Sequence, residues 1–350
     1  MLNKRRGILL IFVLLIICIL NGCSSNISSG KASSKEIPNL KNENLVVYVA
    51  FNEDEAKVLL DGFKEKTGCN YTFLRYPTEE LADKIKSQET LGEADIFLGG
   101  TADAVELLKM NDCLEKYTIN SSSEIPIEYM DSDGYWIGLY VEALSIAINE
   151  DRWEKEFNDI EKPKTLEELV NPKFKGEIVL ADPRTSGTGY TLLSYLVQTM
   201  GKDDALEFFK KLKNNVGQFT DSGFTPAKKV GMGEYLLTVN FINQQLIVKN
   251  SGFNIESIVP DNTGWTICPI AKIKDGKNKK ASEAFMNYCV TKEAGISLKD
   301  FSMGFSTIPG VNYPNIEKDF TSYKLSKEYD FKKAAKDRKE LLEDLEEIML

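Results

Sequence analysis

Apolar runs of strand length alternate with helical segments from residue 45 onward, and this alternation most constrains what the chain can fold into. Residues 45–49 are a continuous apolar run suited to a central strand buried on both faces. The acidic turn Glu53-Asp54-Glu55 opens a helix predicted to about Lys66, with Leu59, Leu60 and Phe63 on one side and Thr67-Gly68 at its end. Residues 71–75 predict a second strand, Thr78 caps a second helix, and residues 94–98 predict a third strand. That strand ends at Gly99-Gly100-Thr101, and a helix follows from Ala102 to Lys109. Short loops in a β-α-β-α-β order imply a parallel sheet with right-handed crossovers.

The run from Trp136 to Asn149 is long, apolar and rich in aromatic and β-branched residues, which predicts a strand passing from a first lobe to a second. Residues 45–142 plus 261–310 are expected to form lobe 1 and residues 143–260 lobe 2, with a helical segment over 311–350 whose charge run reads as a solvated face. In lobe 2 the apolar run 178–181 leads into Asp182-Pro183-Arg184-Thr185-Ser186-Gly187-Thr188-Gly189-Tyr190 and then a helix. A strand feeding a hydroxyl- and glycine-rich loop into a helix start offers free backbone N–H groups to an anion. Taken alone, the same loop also reads as an ordinary capped turn. It is not a Walker loop, because no Gly-Lys-Ser/Thr closes it.

Lys4-Arg5-Arg6 followed by an uncharged apolar run over residues 8–20 has the form of a secretory leader, too short to span a membrane. Residues 1–22 carry three basic and no acidic residues, so their removal takes the formal charge from −10 to −13. An acidic exterior argues against nucleic acid as a partner. The absence of histidine excludes Ser-His-Asp and Cys-His catalysis and HExxH zinc chemistry. The carboxylates fall in no pattern that marks two of them as special, and neither an enzymatic activity nor a cofactor or metal is expected. Cys69, Cys113, Cys268 and Cys289 lack zinc-site spacing, and their state, paired or free, stays open.

Several segments carry a family resemblance. These are residues 46–50, Gly92-Glu93-Ala94-Asp95-Ile96-Phe97-Leu98-Gly99-Gly100, Pro163-Lys164-Thr165-Leu166-Glu167-Glu168-Leu169, Lys173-Phe174-Lys175-Gly176-Glu177-Ile178, residues 182–190, and Ser222-Gly223-Phe224-Thr225-Pro226-Ala227-Lys228. In this order they resemble the bacterial ABC-importer solute-binding proteins, in the cluster that binds ferric ion, aminoethylphosphonate, phosphoglycerate or hexose phosphate. The resemblance implies an α/β, two-lobed type II periplasmic-binding-protein fold: two parallel-rich sheets with helices on both faces and a ligand cleft between the lobes. It also implies capture of a solute outside the cytoplasm by a monomer and delivery to a permease and its ATPase. Leu20-Asn21-Gly22-Cys23 looks like a lipobox, which implies cleavage after residue 22, a lipid anchor on Cys23 to the cell membrane, and a flexible tether over 23–44.

The ferric binders use an adjacent tyrosine pair, and none occurs here; residues 239–245 read Val-Asn-Phe-Ile-Asn-Gln-Gln. Neutral amides suit sugar hydroxyls or phosphate oxygens better than Fe³⁺. The expected ligand is therefore a small phosphorylated or phosphonate anion, with a ferric carrier or a sensory binding protein for a membrane histidine kinase as the alternatives. Candidate contacts are Ser186, Gly187, Thr188, Gly189 and Arg184 of the anion loop, with Thr225 at a helix cap. Gly100, Thr101, Asn52 and Phe51 are expected from lobe 1, Asn243 and Gln244 from lobe 2, and Glu142 at the crossing.

Overall fold

The computed structural model describes residues 38–87, 91–119, 124–311 and 322–349. The expected leader, the expected lipidation site Cys23 and the expected tether as far as residue 37 lie outside the described residues. The last part of the expected tether is structured: Leu40 is 1% exposed and its N–H donates to the Thr67 carbonyl at 2.8 Å.

The chain opens with β1 (Asn44–Val49), α1 (Glu53–Thr67), β2 (Asn70–Arg75), α2 (Thr78–Lys86), β3 (Ile96–Leu98) and α3 (Ala102–Met110). Gly68 ends α1 at φ 76°, in the left-handed region that glycine adopts without a Cβ penalty. β1 pairs in parallel with β2 on one side and β3 on the other, as the alternation implied. The short β4 (Leu114–Glu115) follows, then, after a loop, the long β5 (Trp136–Asn149), buried along all of its length.

α4 (Glu150–Glu156), β6 (Ile178–Ala181), α5 (Gly187–Met200), α6 (Lys202–Lys213), β7 (Val216–Thr220), α7 (Phe224–Gly231), β8 (Leu237–Phe241), α8 (Ile242–Asn250) and β9 (Ile255–Ile258) come next. β10 (Trp265–Ile273) returns, and α9 (Lys279–Cys289), α10 (Lys292–Ser302), β11 (Phe305–Ser306) and α11 (Phe331–Met349) close the chain.

The sheet keeps the expected α/β character, and its two parallel-rich parts are joined edge to edge. Its strands run in one continuous order, β2-β1-β3-β10-β5-β8-β6-β7. β5 belongs to both halves: residues 136–143 pair with β10, and residues 144–148 pair with β8. The ladders of β5 with β10, β8, β9 and β11, and that of β10 with β3, are antiparallel, so the parallel pairs sit toward the outer parts of each half. The physical cause is connectivity. A chain that crosses on one strand and returns on the next must lay those two strands antiparallel. Each half has its own apolar core, one around Val47, Phe63, Ile96 and Phe285, the other around Ile146, Leu180, Tyr190 and Phe209.

The C-terminal charge run is not simply a solvated face. α11 buries Ala334, Ala335, Leu341 and Leu345, and it inserts Arg338, 4% exposed, among acidic side chains. The Arg338 guanidinium forms a fork on Asp83 at 3.0 Å through each outer nitrogen, and its Nε donates to Glu79. Tyr190 of α5 donates to the Ala334 carbonyl at 2.6 Å, so α11 joins α2 of the first half to α5 of the second. The four cysteines Cys69, Cys113, Cys268 and Cys289 are buried free thiols.

Candidate functional site

The carboxyl ends of β1, β2, β3, β6, β7 and β8 all face one cavity of about 40 Å³. Its wall carries the first residues of six helices: Asn52 before α1, Pro77 and Thr78 at α2, Gly100 and Thr101 before α3, Ser186 and Thr188 at α5, Gly223 and Phe224 at α7, and Phe241, Asn243 and Gln244 at α8. Helix N-termini present unpaired N–H groups and the positive end of the backbone dipole, each favouring an anion by about 0.3–1 kcal/mol. The convergence follows from topology: in α/β units a strand's carboxyl end leads straight into the next helix.

The N-cap side chains are not used as caps. The side chains of Asn52, Thr101 and Ser186 accept no capping bond from the first backbone N–H groups of their own helices. The Thr101 hydroxyl is buried and unpartnered, the residue being 2% exposed. Thr78 stands at the first helical position of α2, and Pro77 takes the cap position in place of the expected Thr78. Gly223 lets the backbone close on the two hydroxyls of the anion loop: a Cβ there would fall 2.0 Å from Thr188 Oγ1 and 3.2 Å from Ser186 Oγ. Gly100, at φ 76°, packs against the Thr78 methyl, where a Cβ would fall at 2.7 Å.

Of the candidates from sequence, Phe51, Asn52, Gly100, Thr101, Glu142, Ser186, Thr188, Asn243 and Gln244 line this cavity. Arg184, Gly187, Gly189 and Thr225 do not. Arg184 turns back on its own loop, where Nε and Nη2 hold the Asp182 carboxylate at 2.9 and 2.5 Å. Gly189 packs on the end of β6, where a Cβ would meet the Ala181 carbonyl at 2.4 Å. Gly187 abuts the Thr101 and Thr78 side chains. Thr225 stands one residue beyond Phe224, outside the wall. Asn243 and Gln244 belong to the first turn of α8 and not to a loop. The Asn243 Nδ2 donates to the Ser302 carbonyl at 3.1 Å, while its Oδ1 is buried without a partner. Gln244 Oε1 accepts from Asn240 at 3.0 Å.

Sequence reading missed Arg75, Glu55, Tyr140, Asp221 and Ser222, all on the wall. Arg75 closes β2 and reaches across the cavity, its Nε toward the Phe51 carbonyl at 3.4 Å and Nη2 toward Ser222 Oγ at 3.3 Å. It makes no ion pair with a carboxylate among the described residues, and burial pulls its pKa below the usual arginine value. An arginine held in a cavity by neutral acceptors has its charge uncommitted. Its position as the last residue of a strand beginning an α/β loop is the signal that could have singled it out.

Two acids face it. Glu55, 2% exposed, accepts from Tyr140 Oη at 2.7 Å and from Asn52 Nδ2 at 2.9 Å. Burial pushes its pKa up to about 7, against the pull of those two donors. Glu142, 5% exposed, is pushed to about 8 by burial and by the charge of Glu55, with the Asn243 amide opposing. The carboxylates with no distinctive spacing in sequence thus contain a pair made distinctive by the fold. Among the described residues, no group of three or more acidic or cysteine side chains is placed to hold a metal ion.

Residues 93–337 match the family described as bacterial extracellular solute-binding protein. An uncharacterised protein of Haemophilus influenzae is 29% identical over 254 residues, 71% of this chain and 73% of its own. The periplasmic binding protein AfuA of Actinobacillus pleuropneumoniae, solved with fructose 6-phosphate bound, superposes with a TM-score of 0.81 at 28% identity, over 88% of this chain and 99% of that one. The Fe(3+)-binding periplasmic protein of Serratia marcescens is 25% identical over 55% of each chain.

Proposed function

The chain belongs to the bacterial extracellular solute-binding proteins, and from that premise we propose that it captures a small phosphorylated or phosphonate anion outside the cytoplasm and hands it to an ABC permease. The observation that carries this reading is the convergence of six helix N-termini on one cavity whose N-cap residues Asn52, Thr101 and Ser186 leave their own helices uncapped. Arg75 adds a full positive charge, and Ser186, Thr188 and Ser222 add hydroxyl donors. A compact oxyanion uses several such donors at once, whereas a neutral solute leaves the dipoles unopposed. The fructose 6-phosphate bound to AfuA supports the same class of ligand.

The residues at 45–142 and 261–310 would form one lobe, and those at 143–260 the other, with β5 and β10 as the joining strands. Contacts from both halves, Arg75 with Ser222 and the Glu79 N–H with the Thr185 carbonyl at 3.0 Å, favour the closed arrangement that a ligand selects. Lipidated Cys23 would hold this monomer at the membrane surface near its permease. Chemistry on the ligand is no part of this role.

A ferric carrier is the second reading, favoured by the Serratia relative. Among the described residues the cavity offers one tyrosine, Tyr140, whose hydroxyl is engaged with Glu55 and whose pKa burial drives well above its ordinary value. That opposes the phenolate form a ferric ion requires. Titration calorimetry with fructose 6-phosphate, glycerol 3-phosphate, 2-aminoethylphosphonate and ferric citrate separates the two. Heat from a phosphorylated or phosphonate probe with none from iron is expected; tight iron binding without heat from any of the organic probes overturns the proposal.

A further inference from the structure

Glu55 and Glu142 pose a problem for an anion site, because they line the cavity that the anion would enter. Neither bonds to a cation. Glu55 Oε1 and Oε2 accept from Asn52 and Tyr140, both neutral. Arg75, on the same wall, directs its nitrogens to the Phe51 carbonyl and to Ser222. The titratable groups packed around the pair are acidic: Asp54 on α1, Tyr140 on β5 and Cys268 on β10, with the Asn243 amide from α8 beside Glu142. A bound phosphate next to two ionised carboxylates this deeply buried would be repelled by both, because burial weakens solvent screening. As neutral acids the same groups carry O–H donors, and repulsion becomes hydrogen bonding.

On the reading that the ligand is an oxyanion, we propose that its capture is coupled to proton uptake: Glu55 and Glu142 enter the bound state as neutral acids and donate to the ligand. The protein then binds an anion together with up to two protons taken from solution and deposited on carboxylate oxygens that the apo cavity leaves partly ionised. Burial sets both groups near neutrality before ligand arrives, at about 7 for Glu55 and about 8 for Glu142. The incoming negative charge raises them further. Each unit of pH above those values weakens binding by up to about tenfold per group that must be protonated.

The test uses the mature protein and whichever of fructose 6-phosphate and glycerol 3-phosphate binds more tightly. Above pH 7.5 a phosphate monoester, with a second pKa near ~6, is already fully ionised, so the probe contributes little to the pH dependence. Calorimetry in buffers of different ionisation enthalpy is expected to show net proton uptake at pH 7.5, and affinity at least about tenfold weaker at pH 9. The double variant Glu55→Gln with Glu142→Gln keeps neutral donors at both positions. It is expected to lose the proton uptake and to bind at pH 9 as it does at pH 7.5. Wild-type binding with no proton exchange and equal affinity at the two pH values overturns the inference, as does proton release. Failure of wild type to bind either probe at pH 7.5 overturns the oxyanion reading itself, and the inference with it.

Discussion

Replacing Arg75 with methionine isolates the one full positive charge among the described residues of the cavity wall. The side chain reaches across from the end of β2 to Ser222 Oγ at 3.3 Å, and its other contact is the Phe51 carbonyl at 3.4 Å. Both bonds are long and run to neutral acceptors, so their loss costs the folded protein little. Burial of an arginine without a carboxylate partner is itself unfavourable, and a methionine of similar length keeps the apolar stem while removing that cost. In the complex the balance reverses. A hydrogen bond to a charged group contributes about 1.5–3 kcal/mol, so affinity for a phosphorylated probe should fall roughly 10- to 150-fold. Calorimetry with fructose 6-phosphate and a thermal melt of the apo protein measure the two sides. The expected result is a large loss of affinity with an unchanged or slightly raised melting temperature. A lowered melting temperature with unchanged affinity would refute the reasoning and make Arg75 a structural bracket between the two halves.

Ser186→Ala with Thr188→Ala should weaken binding of the same probe at least about tenfold while leaving the melting temperature nearly unchanged, since neither hydroxyl caps α5; equal affinity would return the loop to an ordinary turn. Gly223→Ala should be worse than either, because its Cβ would fall 2.0 Å from Thr188 Oγ1 and wedge the wall open; an alanine variant of full affinity contradicts this. Arg338→Met leaves Glu79 buried without its guanidinium and should cost about 3–5 kcal/mol in denaturant unfolding; a loss under ~1 kcal/mol would show that α11 holds by its apolar face alone. Asp103, whose two carboxylate oxygens are buried and unpartnered, is raised to about 8 by burial and the neighbouring Glu79 charge. Its folded form favours the proton, so stability falls as pH rises from the ordinary carboxylate range through about 8. Asp103→Asn should therefore raise the melting temperature more at pH 8 than at pH 5, and an equal gain at both removes the buried acid as the cause.

Much of the site was legible where the signal was local. Ser186 and Thr188 stand out because hydroxyls and glycines between an apolar run and a helix have few other uses, and Asn52 and Thr101 follow from the same strand-to-helix logic. Arg184 was misleading for a related reason. A charged residue in an anion loop reads as a ligand, but the fork it makes with Asp182 two residues earlier depends on side-chain conformations that sequence does not encode. Arg75 carries only a weak local mark, its place as the last residue of a half-exposed strand.

By itself, the sequence determined the alternation of strand and helix, the buried crossing strand and the helix starts, because each rests on periodicity and backbone chemistry within about ten residues. Tertiary structure decided what meets in the cavity. It set Arg75 of the first half against Ser222 of the second, 147 positions apart. It also set Glu55 beside Tyr140 and Glu142, whose shared burial moves their protonation toward neutrality. Charge and acidity depend on distance and solvent exclusion, and both arise only once the chain has folded.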